Sequence, residues 1–329
     1  MKVLVTDIGG TFIKYAVMDE ELNIYNKGKV PTPRGSRAEL IEAIRQLYEN
    51  VGAKKSEAAC AEETNSAGTE ISGIAVSLPG VVDPQSGRVF IGGALTYNDG
   101  AYLRDEIEQR CGVKVFMEND AKCATLIEIE RGALKDVNDG FILLYGTMIG
   151  GGVVKDRKLH RGTHSSAGEV SYIITDRDGN AGFDEVWGNR CGIPRLLGMY
   201  AERLAERKAR GEVLAENSSA GACPCEVTGE IFFEAVEAGD EDAIWALDVF
   251  TKEIAVQIFN IQTLLDPELF AIGGGVSAQP AFLEAIQKNL DGLYANSYYP
   301  VTQAKITKCA YGNDANLYGA MIGYLDYIK

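Results

Sequence analysis

Val3-Leu4-Val5-Thr6-Asp7-Ile8-Gly9-Gly10-Thr11 opens the chain with an apolar strand that runs into a carboxylate, two glycines and a hydroxyl. Glycines at such a turn let backbone N–H groups come close to an anion. Thr11 can add a hydroxyl donor, and Asp7 can face the magnesium that accompanies a nucleotide triphosphate. A Gly-Gly hairpin turn needs no ligand, however, so these residues by themselves fit an ordinary turn equally well.

Two further glycine clusters join the first. Phe141-Ile142-Leu143-Leu144-Tyr145 leads into Gly146-Thr147-Met148-Ile149-Gly150-Gly151-Gly152, and Leu269-Phe270-Ala271-Ile272 leads into Gly273-Gly274-Gly275. Each cluster closes an apolar strand, which implies a cleft approached from several sides. None has the G-x-G-x-x-G or G-K-[ST] spacing, so neither the Rossmann nor the Walker mode of phosphate binding applies.

The 329 residues exceed one ordinary core and predict two domains. A formal charge of −15 speaks against a nucleic-acid partner, which requires clustered Lys and Arg. No apolar run reaches membrane-spanning length, and no targeting segment precedes the first strand. Seven scattered cysteines read as reduced thiols rather than a disulfide framework, which places the protein in the cytoplasm. An acidic protein must draw the positive character of a phosphate site from backbone amides, magnesium and a few side chains such as Lys14.

Strands and helices alternate along both halves, predicting α/β packing with helices on both sheet faces. Ser36 with Glu39 forms a capping-box start for a helix whose apolar face is Leu40, Ile41, Ile44, Leu47 and Tyr48. The stretch 57–69 reads as a loop, Ile71–Leu78 as a strand, and Asp120–Leu134 as a helix capped by Asn119. Later helices are expected near 186–209 and 240–265, separated by an exposed insertion near 211–229. Trp187, Trp245 and the stripe Ile244, Leu247, Phe250, Ile254 and Ile258 read as core.

Glu118-Asn119-Asp120 puts a carboxylate in a first helical turn, where unpaired N–H groups and the helix dipole favour its ionised form. Such a group can accept a hydroxyl proton during phosphoryl transfer, although helix capping explains the same residues. Glu169, after the polar loop His160–Ser166, can accept hydrogen bonds from two adjacent sugar hydroxyls, and Glu185 can do likewise. Cys223-Pro-Cys225 lacks the second ligand pair that a structural zinc needs.

Taken in order, Asp7–Thr11, Ser77–Asp83, Glu118–Asp120, Gly146–Gly152, Ala167–Glu169 and Ile272–Gly275 resemble the ROK family (repressor, open reading frame, kinase) of sugar kinases and repressors over essentially the whole chain. The resemblance implies a two-lobed, actin-like (ribonuclease H-like) ATPase fold with mixed sheets flanked by helices and an interlobe active site. The lobes are expected as 1–118 with 312–329, and 119–311. It also implies transfer of the ATP γ-phosphate to a hexose hydroxyl, usually O6, with ATP and Mg2+ as cofactors, and a homodimer. On this basis Asp120 is the general base, and Asn119, Glu169 and Glu185 hold the sugar. Asp7, Gly9, Gly10, Thr11, Lys14, Gly146 and Thr147 serve the phosphates and magnesium, and Gly274 and Gly275 lie against the nucleoside. A non-catalytic or regulatory sugar-binding protein of the same fold is the alternative.

Two departures stand out. Tyr172 occupies the position of a family histidine, and only Cys191 remains of a zinc-binding cysteine cluster. The expectation is therefore a member without structural zinc, similar to β-glucoside kinases. Met148 replaces an expected glycine, and a left-handed backbone there would strain the loop by roughly 1–3 kcal/mol.

Overall fold

The computed structural model describes residues 1–53, 70–176, 178–179, 182–210 and 227–329. The expected loop 57–69, and all of the expected insertion but 227–229, including Cys223-Pro-Cys225, lie outside them. Two compact units are present. The first comprises Met1–Arg131, Arg161–Ala167 and Asn313–Lys329; the second comprises Gly132–His160 and Gly168–Gly312.

The first unit contains β1 (Lys2–Ile8), β2 (Phe12–Asp19), β3 (Ile24–Pro31), α1 (Arg37–Ala53), β4 (Ile71–Leu78), β5 (Val81–Asp83), β6 (Arg88–Ile91), α2 (Leu103–Cys111), β7 (Lys114–Asn119) and α3 (Asp120–Glu130). The last helix of the chain, α9 (Ala315–Tyr327), also belongs to it. Its sheet runs β3-β2-β1-β4-β7, in which β1, β4 and β7 are parallel and β1–β2–β3 form an antiparallel meander. Strands β1 and β4 read as almost unbroken apolar runs because helices cover both faces. Leu40, Ile44, Leu103 and Ile107 of α1 and α2 bury against Leu4, Ile74 and Val115. Ser36 caps α1 as its spacing predicted, its Oγ accepting from the Glu39 N–H at 3.3 Å. Helix α9 packs against α3, and Tyr324 Oη donates to the Ser72 carbonyl at 3.3 Å.

The second unit contains β8 (Gly140–Tyr145), β9 (Ile149–Lys155), β10 (Lys158–His160), α4 (Trp187–Arg190), α5 (Ile193–Ala209), α6 (Gly229–Glu237), α7 (Glu241–Leu265), β11 (Leu269–Gly273), α8 (Pro280–Ala295) and β12 (Ile306–Lys308). Its sheet runs β10-β9-β8-β11-β12, with β8, β11 and β12 parallel. Phe250, Ile254 and Ile258 of α7 bury in its core with Trp187, Tyr200 and Phe282.

The structure redraws several expectations. Helix α3 ends at Glu130, four residues early, with Arg131 as its C-cap. The helix expected over 186–209 breaks at Cys191-Gly192, because Pro194 cannot donate within a helix and starts α5 instead. Trp245 and Ile244 are not core: they are 41% and 46% exposed, and the Arg203 guanidinium lies 4.6 Å over the Trp245 ring. Apolar character at the first turn of α7 thus reflects stacking with a long cationic side chain rather than burial. The expected lobe boundary after Glu118 differs from the observed division in two places. Helix α3 stays in the first unit through its packing on α9, and Arg161–Ala167 belongs to the first unit although both flanking segments belong to the second.

Candidate active site

In the first unit, the parallel pairing aligns Asp7 with Ser77 and Ser77 with Glu118, so three polar residues form one row at the carboxyl ends of β1, β4 and β7. Ligands of open α/β sheets bind outside such strand ends. Asp7 is nearly buried; its Oδ1 accepts from Ser77 Oγ and Asn316 Nδ2, both at 3.1 Å, and Lys14 Nζ stands 3.5 Å from Oδ2. The adjoining hairpin Gly9-Gly10-Thr11 is braced by Thr32, whose Oγ1 donates to the Gly9 carbonyl at 2.7 Å and whose N–H donates to the Thr11 carbonyl.

Next in the row, β7 hands over to α3. Asn119 is the N-cap: its Oδ1 accepts from the Lys122 N–H at 3.1 Å, while its Nδ2 donates to the Gly80 carbonyl and to Asp120 Oδ1, each at 2.9 Å. Asp120 Oδ1 also accepts from the Ala121 N–H, and the residue is partly exposed at the positive end of the helix. Gly80 is required here, since its φ is +99° and a side chain would run into the Ile91 carbonyl. The following loop brings Ala94 beside Gly10. The hairpin, the loop after β6 and the Asn119–Asp120 turn therefore surround one end of this sheet.

Glu118 is fully buried beneath that turn. Burial raises its pKa, against the pull of Arg161, whose Nε donates to Glu118 Oε2 at 2.6 Å. Burial also pushes the neighbouring Cys123 thiol far above its ordinary value, so it is inert.

In the second unit, Gly146-Thr147-Met148 forms the β8–β9 hairpin, and the Gly146 carbonyl accepts from the Ile193 N–H at 2.8 Å. Because β8 and β11 are parallel neighbours, Gly274 follows the strand beside Tyr145, and the second and third glycine clusters meet at one sheet end. Gly274 has φ +91°, and a Cβ would strike the Tyr145 carbonyl, so the position admits glycine alone. Glu169 precedes the short turn Val170–Tyr172, and Glu185 closes the turn Phe183–Glu185. Arg190 Nη1 donates to Glu185 Oε2 at 3.1 Å, and its Nε lies 3.8 Å from Glu253 Oε1.

The candidate residues therefore fall in two groups: Asp7, Gly9, Gly10, Thr11, Lys14, Asn119 and Asp120 in the first unit, and Gly146, Thr147, Glu169, Glu185, Gly274 and Gly275 in the second. Met148 does not carry the expected strain, because it is absent from the residues with positive φ. Its Sδ–Cε end packs beside Gly188 and Ser171 instead. Sequence reading missed Thr32, Ser77, Asn316 and Arg161; Ser77 and Arg161 lay within quoted segments without an assigned role, and Thr32 and Asn316 reach the site only through folding. Asn98 is fully buried, with neither amide atom hydrogen-bonded.

Gly9 and Gly10 have no left-handed backbone, and a Cβ at either would only approach Phe12 O at 3.3 Å or Ala94 Cβ at 3.4 Å. The backbone angles of the turn do not demand glycine there, and the bare peptide surface leaves room for a phosphate. The residues thus fit a triphosphate. Among the described residues no cluster of three or more His, Cys, Asp or Glu could hold a metal, so a magnesium ion would rely on Asp7 and the phosphates. No helix among the described residues is long and apolar enough to cross a membrane.

The chain is 29% identical over 322 residues to a β-glucoside kinase of Klebsiella pneumoniae, covering 98% of this chain and 95% of the relative. It is 28% identical over 330 residues to an N-acetyl-D-glucosamine kinase of Pasteurella multocida, covering 97% and 98%. Among solved structures, a ROK family glucokinase from Streptomyces griseus in complex with glucose and AMPPNP superposes with a TM-score of 0.79 at 25% identity, covering 98% of each chain. The fold is that of the actin-like sugar kinases. The family model matches residues 3–326, and with a site built on the segments that model spans, the chain belongs to the ROK family.

Proposed function

We propose that the protein is an ATP-dependent sugar kinase that phosphorylates a hexose or hexose derivative, with O6 as the acceptor hydroxyl. The observation that carries this reading is the row of strand ends in the first unit, where Asp120 follows the carboxyl end of β7 at the same sheet end as Asp7 and the glycine hairpin, two strands away. Asp120 accepts the hydroxyl proton as the sugar oxygen attacks the γ-phosphorus; the bond from that phosphorus to the β,γ-bridging oxygen breaks, and ADP departs. Asp120 stands in the first turn of α3, where its Oδ1 accepts from the Ala121 N–H.

Gly9 and Gly146 line the phosphates, their own N–H groups being bound to the Phe12 and Met148 carbonyls, while phosphate oxygens take the backbone N–H groups of Gly10 and Thr147, the Thr11 hydroxyl and the Lys14 ammonium. Gly274 and Gly275 lie against the nucleoside. Asp7 together with the phosphates would hold a magnesium ion, which would supply charge neutralisation. Glu169 and Glu185 accept sugar hydroxyls. Asn119 has most of its amide committed to capping, so its part in sugar binding is confined to the remaining lone pair of Oδ1. The reading of a sugar-binding protein without catalysis drew on strain at Met148, and a backbone outside the left-handed region withdraws that support.

The test is ADP release coupled to NADH oxidation across glucose, a β-glucoside and N-acetylmannosamine, with magnesium present. Sugar-dependent turnover with at least one of them is expected. ADP release independent of every sugar would overturn the reading.

A further inference from the structure

Arg161 lies outside every segment assigned a role in catalysis, yet it pairs with a carboxylate that has no exposed surface. Glu118 has no exposed surface, and both of its oxygens are engaged: Oε2 accepts from Arg161 Nε at 2.6 Å, and Oε1 accepts from the Asn119 backbone N–H at 2.9 Å. A second buried charge reinforces the first. Lys122, also without exposed surface, donates from Nζ to the Ser165 carbonyl at 2.8 Å. Ser165 holds that carbonyl in place with a left-handed backbone at φ +55°, and the Ala167 N–H closes the segment onto the Arg161 carbonyl at 3.0 Å. Two charged contacts thus fasten 161–167 to the β7–α3 turn.

Burying a carboxylate and an ammonium costs several kcal/mol each, and apolar residues of similar size would hold the segment as well. Position is what the charges add. From Arg161 the contacts run to Glu118, then to the Asn119 N–H, and from Asn119 Nδ2 to Asp120 Oδ1. Every link is a directed hydrogen bond, so the guanidinium orients a carboxylate it does not touch. We propose that Arg161 is a positioning residue that fixes the Asn119–Asp120 turn through Glu118. The inference rests on the proposed function only in taking Asp120 as the base.

Without the guanidinium, Glu118 must take a proton or turn toward water, and either change weakens its bond to the Asn119 N–H. Arg161→Ala is therefore expected to lower kcat at least 30-fold while the KM for ATP stays within twofold. Arg161→Lys, which restores the charge, should regain at least tenfold of that loss. Arg161→Ala combined with Glu118→Gln should be no worse than Glu118→Gln alone within threefold, because both act through one contact. Hydrogen exchange at the Asn119 amide should be at least tenfold faster in Arg161→Ala, with the thermal midpoint within a few degrees of wild type. Should the alanine variant fail to fold, Arg161→Gln carries the same comparisons. A kcat within threefold of wild type, losses that multiply in the double variant, or unchanged exchange at Asn119 would each overturn the proposal. If the wild type phosphorylates no hexose, the functional reading fails separately, and the Asn119 exchange rate still decides whether Arg161 holds the turn.

Discussion

The two sheets repeat one plan and end in opposite chemistry. Both place an antiparallel meander beside a run of parallel strands, β3-β2-β1-β4-β7 in one unit and β10-β9-β8-β11-β12 in the other. The strand ends of the first unit carry Asp7, Ser77 and Glu118, each held by named side-chain partners. Those of the second carry glycines, held by backbone: Gly146 by the Ile193 N–H, and Gly274 by its approach to Tyr145. One scaffold thus supplies directed charge at one sheet and bare peptide surface at the other, which are the two things phosphoryl transfer asks of a protein.

The comparison assigns charge chemistry to the first sheet, and its sharpest test is there. Asp120→Asn keeps the shape and the hydrogen bond from Ala121 but cannot take a proton, so kcat should fall on the order of 10²–10⁴-fold. Sugar affinity, measured by titration calorimetry, should stay within a few-fold. Turnover near the wild-type rate would move the base elsewhere.

At the second sheet the difference should appear as stability. Gly274→Ala forces a Cβ into the Tyr145 carbonyl at a left-handed φ, and about 1–3 kcal/mol of folding stability should be lost, read from urea denaturation. An unaffected midpoint would show that the close approach relaxes freely.

Gly10→Ala separates ligand from fold at the first hairpin. Its backbone is not left-handed and its nearest neighbour would stand 3.4 Å away, so the stability cost should stay below about 1 kcal/mol. The KM for ATP should nevertheless rise, on the order of tenfold, if phosphate is what occupies the space; equal KM values would refute that use of the hairpin.

The smallest effect belongs to Met148→Gly. With no left-handed strain to relieve, the change removes packing beside Gly188 and frees the unfolded chain, for a loss of about 1 kcal/mol. ATP affinity should stay within twofold, and a clear gain would reinstate the strain that the structure does not show.

The amino-acid sequence by itself determined the strand–glycine–strand hairpins, the Ile71–Leu78 strand and the Asn119 cap, because each is set by near neighbours: a short run of apolar residues, a turn, an N-terminal oxygen acceptor. It also marked Asp7, Asp120 and Gly274 by their place at strand or helix ends, and Glu169 by its place after a polar loop. Only the tertiary structure decided what holds them. Asn316 reaches Asp7 across 309 positions of chain and Arg161 reaches Glu118 across 43, and no local periodicity encodes such pairs. Ile244 and Trp245 show the same limit from the other side: one belonged to a core-like helical stripe and the other read as a core aromatic, but which arc of a long helix faces solvent depends on what packs against it, and over Trp245 that is Arg203. Spacing along a chain records local geometry, while burial and ion pairing record which distant segments the fold brings within reach.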